Sequence, residues 1–380
     1  MATIKKILPP KDGSKPTNQA MKSFLKDSIH YNDVIPKEAI ISSGSLILDA
    51  AFKARSGMII RLVGKGAELG KTAQSFVYLG NYLKTMPNSK GIYVKAEGRL
   101  SKKKLEKAGL NFVYNLEEWV EGTVFIVCCN IAESIFKLLK DQLEESYQSG
   151  GHIGWIIDSM DGLILEDDFK KGITNGGMVA GVPKLTKLLF RHIALPNAHY
   201  DSLGIITGQY AAQIKIDTYA PNAPNQGSSS NGSSAQHQAD YVLEYQAVNQ
   251  GDLITENDGK PDPVTNKILG KFARVKVLKS ADDVTGFTYS IPIRRGSEYR
   301  GAHQIWQSKE IADLLIAYEM MTKGGAWLTF EDDVISDAKE SGIELQPKIN
   351  GINKLYDYIE ENESIMEFFR AKILKLIDTE

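Results

Sequence analysis

The chain has 380 residues, 42% hydrophobic and 24% charged, an ordinary globular mix that excludes wholesale disorder. Its 45 Lys and Arg against 47 Asp and Glu leave a net charge of -2, which argues against coating DNA by bulk positive charge; any nucleic-acid site has to be local. No stretch approaches the roughly 18 to 20 apolar residues of a membrane span, and the Lys-rich start lacks the apolar core of a secretory signal, so a soluble intracellular protein is expected.

Residues 1–16 are polar, carry Pro9, Pro10 and Pro16, and read as a flexible arm. Met21, Phe24, Leu25 and Ile29 then recur at helical spacing, predicting a short amphipathic helix over 18–29, packed on its own domain or on a partner. From residue 40 to 292 apolar strand-like runs alternate with helical ones. Strands are predicted at 58–63, 91–96, 124–129, 154–158 and 203–208, and helices at 72–84, 101–107, 132–147 and 183–192. Short strands separated by helices predict an α/β fold with a mostly parallel, buried sheet. The only two cysteines, Cys128 and Cys129, are neighbours inside an apolar run, where strand geometry points them to opposite faces; this argues against a disulfide framework or a zinc site.

Segments 166–177 and 219–238 break the rhythm and read as irregular loops beyond strand ends, where α/β folds carry function. Segment 249–266 reads as the loop of a long hairpin with flanks 241–245 and 274–278. After a turn at 294–300 the pattern changes to helices at 309–318, 351–359 and 365–376 with a strand at 326–330, a small α+β appendage beginning near residue 295.

The strongest chemical signal is Gly64-Lys65-Gly66-Ala67-Glu68-Leu69-Gly70-Lys71-Thr72, running on into Ala73, between a predicted strand and helix. A phosphate-binding loop needs glycines that turn backbone amides toward phosphate, a lysine for the β and γ oxygens, and a hydroxyl for magnesium. Gly70, Lys71 and Thr72 supply the second half; Lys65 stands where the usual pattern has its first glycine. Three further signals follow in order. Asp158 ends an apolar strand, as does a carboxylate that holds magnesium opposite the loop hydroxyl. Glu97 ends the strand after the loop helix and could accept a proton from water; its bland reading is a solvated strand-end charge. Gln209 follows strand 203–208 and could report the γ-phosphate, although a Gln after a strand is by itself unremarkable.

With these residues in order, the chain from about residue 35 onward resembles the RecA family of DNA strand-exchange recombinases, the bacterial protein and its UvsX-like phage relatives. Residues 41–49 look like the segment leading into that family's core, and Lys323-Gly324-Gly325-Ala326-Trp327-Leu328 with the terminal helices looks like the small C-terminal domain of the bacterial members. The resemblance implies a RecA-type P-loop ATPase core over residues 35–295, preceded by an N-terminal arm and oligomerisation helix (1–34) and followed by the small domain (296–380). It implies ATP and Mg2+, a helical homo-oligomer on single-stranded DNA, pairing with homologous duplex, help from single-strand-binding and loading proteins, and the cytoplasm of a bacterium or its phage-infected host.

Carried over by position, the resemblance makes Lys71 and Glu97 catalytic, Gln209 the γ-phosphate sensor, and Thr72 and Asp158 the metal residues. It assigns Met178, Val179 and Lys184 to a first DNA-binding loop region, and Ile214, Lys215, Asn231, Gly232 and Ser233 to a second. Lys279 matches the first of two lysines that reach a neighbour's ATP. Ala281 stands where the second would be, Lys276 is an alternative, and Pro183 replaces an arginine. A ring-forming helicase with the same core, or a weakened ATP-binding regulator, are the alternatives; only about 35 residues precede the core, where a helicase would be expected to carry a separate domain.

Overall fold

A computed structural model describes residues 18–28, 30–64, 69–97, 102–106, 108–172, 181–209, 238–247, 249–257, 259–295 and 305–377. The chain divides into two compact units, Met1–Ile35 and Pro36–Glu380. In the first, α1 (Gln19–Asp27) forms where the helical spacing predicts it and ends two residues short of the expected stop. None of its residues is buried, and Met21 and Phe24 are 60% and 50% exposed. The His30 ring nitrogen lies 2.6 Å from the Leu25 carbonyl and satisfies one of the acceptors that a helix end leaves open.

The second unit is built on a ten-stranded sheet. Seven strands are parallel: β1 (Ile59–Gly64), β2 (Ser89–Lys95), β3 (Asn111–Val113), β4 (Thr123–Val127), β5 (His152–Asp158), β6 (Leu203–Gln209) and β7 (Tyr241–Tyr245). Their spatial order is β7-β1-β6-β5-β2-β4-β3. Three antiparallel strands extend the β7 side: β8 (Leu253–Thr255), β9 (Ile268–Lys279) and β10 (Thr288–Arg294). The central strands are mostly apolar, with the buried Arg61 of β1 and Thr207 of β6 among the exceptions, because helices cover both faces.

In chain order those helices are α2 (Leu46–Ala51), α3 (Lys71–Thr85), α4 (Lys102–Glu106), α5 (Ala132–Gln148), α6 (Glu166–Lys171) and α7 (Gly181–His199). Tyr78, Leu79 and Tyr82 of α3 fill the core on one face with Leu62, Ile156 and Ile205. On the other, Ile135 and Leu139 of α5 and Phe190 and Ile193 of α7 pack on Trp155, Ile157 and Ile206.

Several expectations are corrected. β4 stops at Val127, so the cysteines lie beyond it rather than on opposite faces of a strand, and the Cys129 sulfur accepts from the Ile131 amide at 3.4 Å. Segment 166–177 opens as a helix: Glu166, Asp167 and Asp168 in its first turn and Lys170 and Lys171 in its last complement the helix dipole, and Lys170 pairs with Glu166. α7 runs past residue 192 and through Pro196, because the buried Asn197 side chain ties that turn to the Gly57 carbonyl and the Trp155 indole. The hairpin loop contains β8, and Pro292 sits inside β10, an edge strand where a missing amide is tolerated.

Beyond residue 304 a three-stranded antiparallel sheet, β11 (Met321–Gly324), β12 (Trp327–Phe330) and β13 (Lys348–Asn350), packs with helices Gln307–Ala317, Asp332–Glu340, Ile352–Glu361 and Glu363–Ile377. Its core includes Leu46 of α2. The buried Glu310 carboxylate accepts from Ser45 Oγ (2.5 Å) and from the Leu46 (2.8 Å) and Ile47 (3.5 Å) amides. The architecture is therefore α/β, a mostly parallel central sheet with a small antiparallel one. Among the described residues no helix is long and apolar enough to cross a membrane.

Candidate functional site

The sheet brings the chemically promising residues to one edge. β1, β6, β5 and β2 are adjacent and parallel, so their C-terminal ends lie side by side, with Gly64 opposite Gln209 and Lys95 opposite Asp158. α3 starts above this edge. Its cap, Gly70, has φ +103, a left-handed backbone that L side chains rarely adopt, and the Ile293 Cδ1 lies 2.4 Å from where a Cβ would stand. Glycine is thus required at the point where the chain turns from β1 into the helix, which fixes Lys71, Thr72 and Ala73 in the first turn of α3. The buried Leu69 anchors the approach.

Asp158 is the hub. Its Oδ2 accepts from Thr72 Oγ1 (2.9 Å) and from the Tyr93 hydroxyl (3.1 Å), and its Oδ1 accepts from Thr207 Oγ1 (2.5 Å). Burial pushes the Tyr93 hydroxyl's pKa upward, and the Asp158 charge pushes it the same way, so Tyr93 stays a donor. Burial pushes the Lys71 ammonium's pKa down, and the carboxylates of Asp158, Asp161 and Glu97 oppose that shift. Glu97 accepts from Ser159 Oγ. The Gln209 backbone amide donates to Asp161 Oδ2 at 2.5 Å.

Lys71, Thr72, Glu97, Asp158 and Gln209 thus stand together, with Gly64, Leu69, Gly70 and Ala73 around them. Lys279 stands apart. It pairs with Val242, itself opposite Arg61, three residues before Gly64, and its Nζ donates to the Ala239 carbonyl at 2.5 Å, toward the N-terminal ends of β1 and β7. Lys184 is exposed on α7. Gly66, Ala67, Glu68, Met178, Val179, Ile214, Lys215, Asn231, Gly232 and Ser233 lie outside the described residues.

Four residues of the cluster escape a reading by motif: Tyr93, Thr207, Ser159 and Asp161. The signal for Thr207 is a hydroxyl inside an otherwise apolar strand, one position past the Ile157–Ile206 pair. Asp161 has no such signal, because the short 3-10 turn Met160–Gly162 that carries it reads as loop.

A pair made of one carboxylate and one helix-start hydroxyl, next to a lysine at a helix N-terminus, is suited to an anion with a divalent cation. Among the described residues no three His, Cys, Asp or Glu side chains form a metal centre of their own. A cation here would draw its remaining ligands from a substrate and water. No protein-family model matches this chain, and no curated protein sequence matches it.

Proposed function

We propose that this chain is an ATP-dependent recombinase with a RecA-type P-loop core, one that polymerises on single-stranded DNA and exchanges it into a homologous duplex. The observation that carries the reading is the convergence of Lys71, Thr72, Glu97, Asp158 and Gln209 on four adjacent strand ends at the start of α3. This is the residue set the RecA resemblance names, assembled from positions 138 residues apart.

Lys71 and the first amides of α3 bind the phosphates as a point charge and a helix N-terminus. Thr72 and Asp158, already 2.9 Å apart, fit a magnesium ion, which when bound neutralises phosphate charge. Ser159 orients the Glu97 carboxylate, which accepts the proton of the attacking water. Gln209 senses the terminal phosphate. Lys279, toward the N-terminal ends of β1 and β7, serves the nucleotide of a neighbouring subunit, and the exposed Met21 and Phe24 of α1 dock on that neighbour. Residues around Met178 and Ile214 supply the DNA contacts that the resemblance assigns to them.

The test is ATP hydrolysis with and without single-stranded DNA, together with electron microscopy in an ATP analogue. DNA-stimulated hydrolysis and helical filaments are expected, both abolished by Lys71→Ala. Closed rings would favour the helicase, and no DNA-dependent assembly would favour the regulator. Normal DNA-stimulated hydrolysis by Lys71→Ala or Glu97→Gln protein would overturn the residue assignments.

A further inference from the structure

The turn Met160–Gly162 touches both residues to which the proposed reaction gives a chemical role beyond binding. On one side Ser159 donates to Glu97, and Gly162 lies so close to the end of β2 that a Cβ would stand 2.9 Å from the Ala96 carbonyl and 3.0 Å from Glu97 Cγ. On the other, Asp161 Oδ2 accepts from the Gln209 backbone amide at 2.5 Å. The buried Met160 holds the turn down, with the Thr186 hydroxyl of α7 3.7 Å from its sulfur. Asp161 is exposed at this rim, and its charge reaches Lys71. Neither phosphate binding nor proton transfer needs a carboxylate here. A negative charge beside a phosphate lysine opposes an incoming polyphosphate.

We propose that Asp161 is a latch that the terminal phosphate of ATP opens, a positioning residue that ties Gln209 down until triphosphate arrives. The inference rests on the ATP reading given above. In the closed latch, Asp161 holds the Gln209 backbone amide and lies in the field of Lys71. A γ-phosphate beside Lys71 takes up that lysine's charge and brings like charge to Asp161. The carboxylate swings toward water and Gln209 is released. ADP, which lacks the γ-phosphate, leaves the latch closed. Gln209 therefore reports the nucleotide through loss of a bond as well as through any new one.

The experiment compares wild type, Asp161→Asn and Asp161→Glu for Mg-ATP and Mg-ADP affinity by calorimetry at low and high salt. Asn keeps an acceptor for the Gln209 amide and removes the charge. The expected result is a gain of about tenfold in ATP affinity with little change for ADP. That gain should shrink in high salt, and Glu should return the ATP-to-ADP ratio to the wild-type value. An unchanged ratio in Asp161→Asn, or weaker ATP binding, overturns the latch while leaving the ATP site intact. If wild type binds neither nucleotide, the ATP reading itself fails and the latch with it. A second measurement needs no variant: hydrogen exchange at the Gln209 amide should be faster with the ATP analogue than with ADP, and slower exchange overturns the proposal.

Discussion

Asp158 at the strand ends and Glu310 at the junction with the C-terminal helices are both carboxylates ringed by donors, and the two rings differ in kind. Among the described residues Asp158 accepts from the side-chain hydroxyls of Thr72, Tyr93 and Thr207, on a rim where it is half-buried and Lys71 supplies positive charge. Glu310 is 2% exposed and accepts from one hydroxyl and from backbone amides at the start of α2. Hydroxyls turn to new acceptors at little cost; helix-start amides do not. The first arrangement suits exchange of partners with a ligand, and the second suits a fixed join between the sheet domain and the appendage.

The largest expected effect breaks the comparison from the rim. Asp158→Asn should lower ATP turnover by about 10²- to 10³-fold, the scale of losing one charged group that stabilises a transition state. Its urea midpoint should stay near wild type. Steady-state hydrolysis and urea unfolding on the same preparations check this. A large loss of stability with turnover preserved would make Asp158 a lock like Glu310.

The next effect comes from the sealed carboxylate. Burial pushes the Glu310 pKa up from 4.5 to about 7; the bonds from Ser45, Leu46 and Ile47 oppose this, and the Asp49 charge adds to it. Between these values the folded chain holds a proton that the unfolded chain has released. Stability from this group is therefore fully present below about pH 4.5 and is lost as pH rises toward 7, by about 3 kcal/mol in all. Urea midpoints of wild type should fall across that window relative to Glu310→Gln, which cannot titrate. Parallel curves for the two proteins would show that Glu310 carries no such linkage.

Thr207→Val sharpens the rim side. It removes a 2.5 Å donor from Asp158 and keeps the strand's shape, so the aspartate is left less well oriented. Apparent magnesium affinity in the hydrolysis assay should drop by about tenfold, the lower end for loss of an outer partner of a metal residue. An unchanged magnesium dependence would remove Thr207 from the site.

These two regions were unequally legible in the sequence. The rim could be read because its strands are mostly apolar runs: Asp158 and Gln209 end β5 and β6 and Glu97 lies two residues past β2, so these candidates fall at the boundaries that a pattern marks. Tyr93 and Thr207 sit inside their strands, where residue type alone does not say which face or neighbour they meet. The join could not be read at all: Ser45 and Glu310 are 265 residues apart, and their pairing depends on how the last helices return to α2. Helix Asp332–Glu340 escaped because only Val334 and Ala338 in it are buried, too few to mark a stripe. β3 escaped because three residues hold no period.

The smallest effect tests the join by the same operation as Thr207→Val tests the rim, deletion of one hydroxyl. Ser45 donates to Glu310 and also caps α2, accepting from the Leu48 amide at 3.3 Å. Ser45→Ala should cost about 1 kcal/mol, in the range for a lost N-cap. Because that donor favours the charged form of Glu310, its loss should move the pH window of the Glu310 effect upward. Turnover should not change. If Ser45→Ala altered ATP turnover as Thr207→Val does, the join and the rim would be coupled through α2 and α3, and the two carboxylates could no longer be assigned separate tasks.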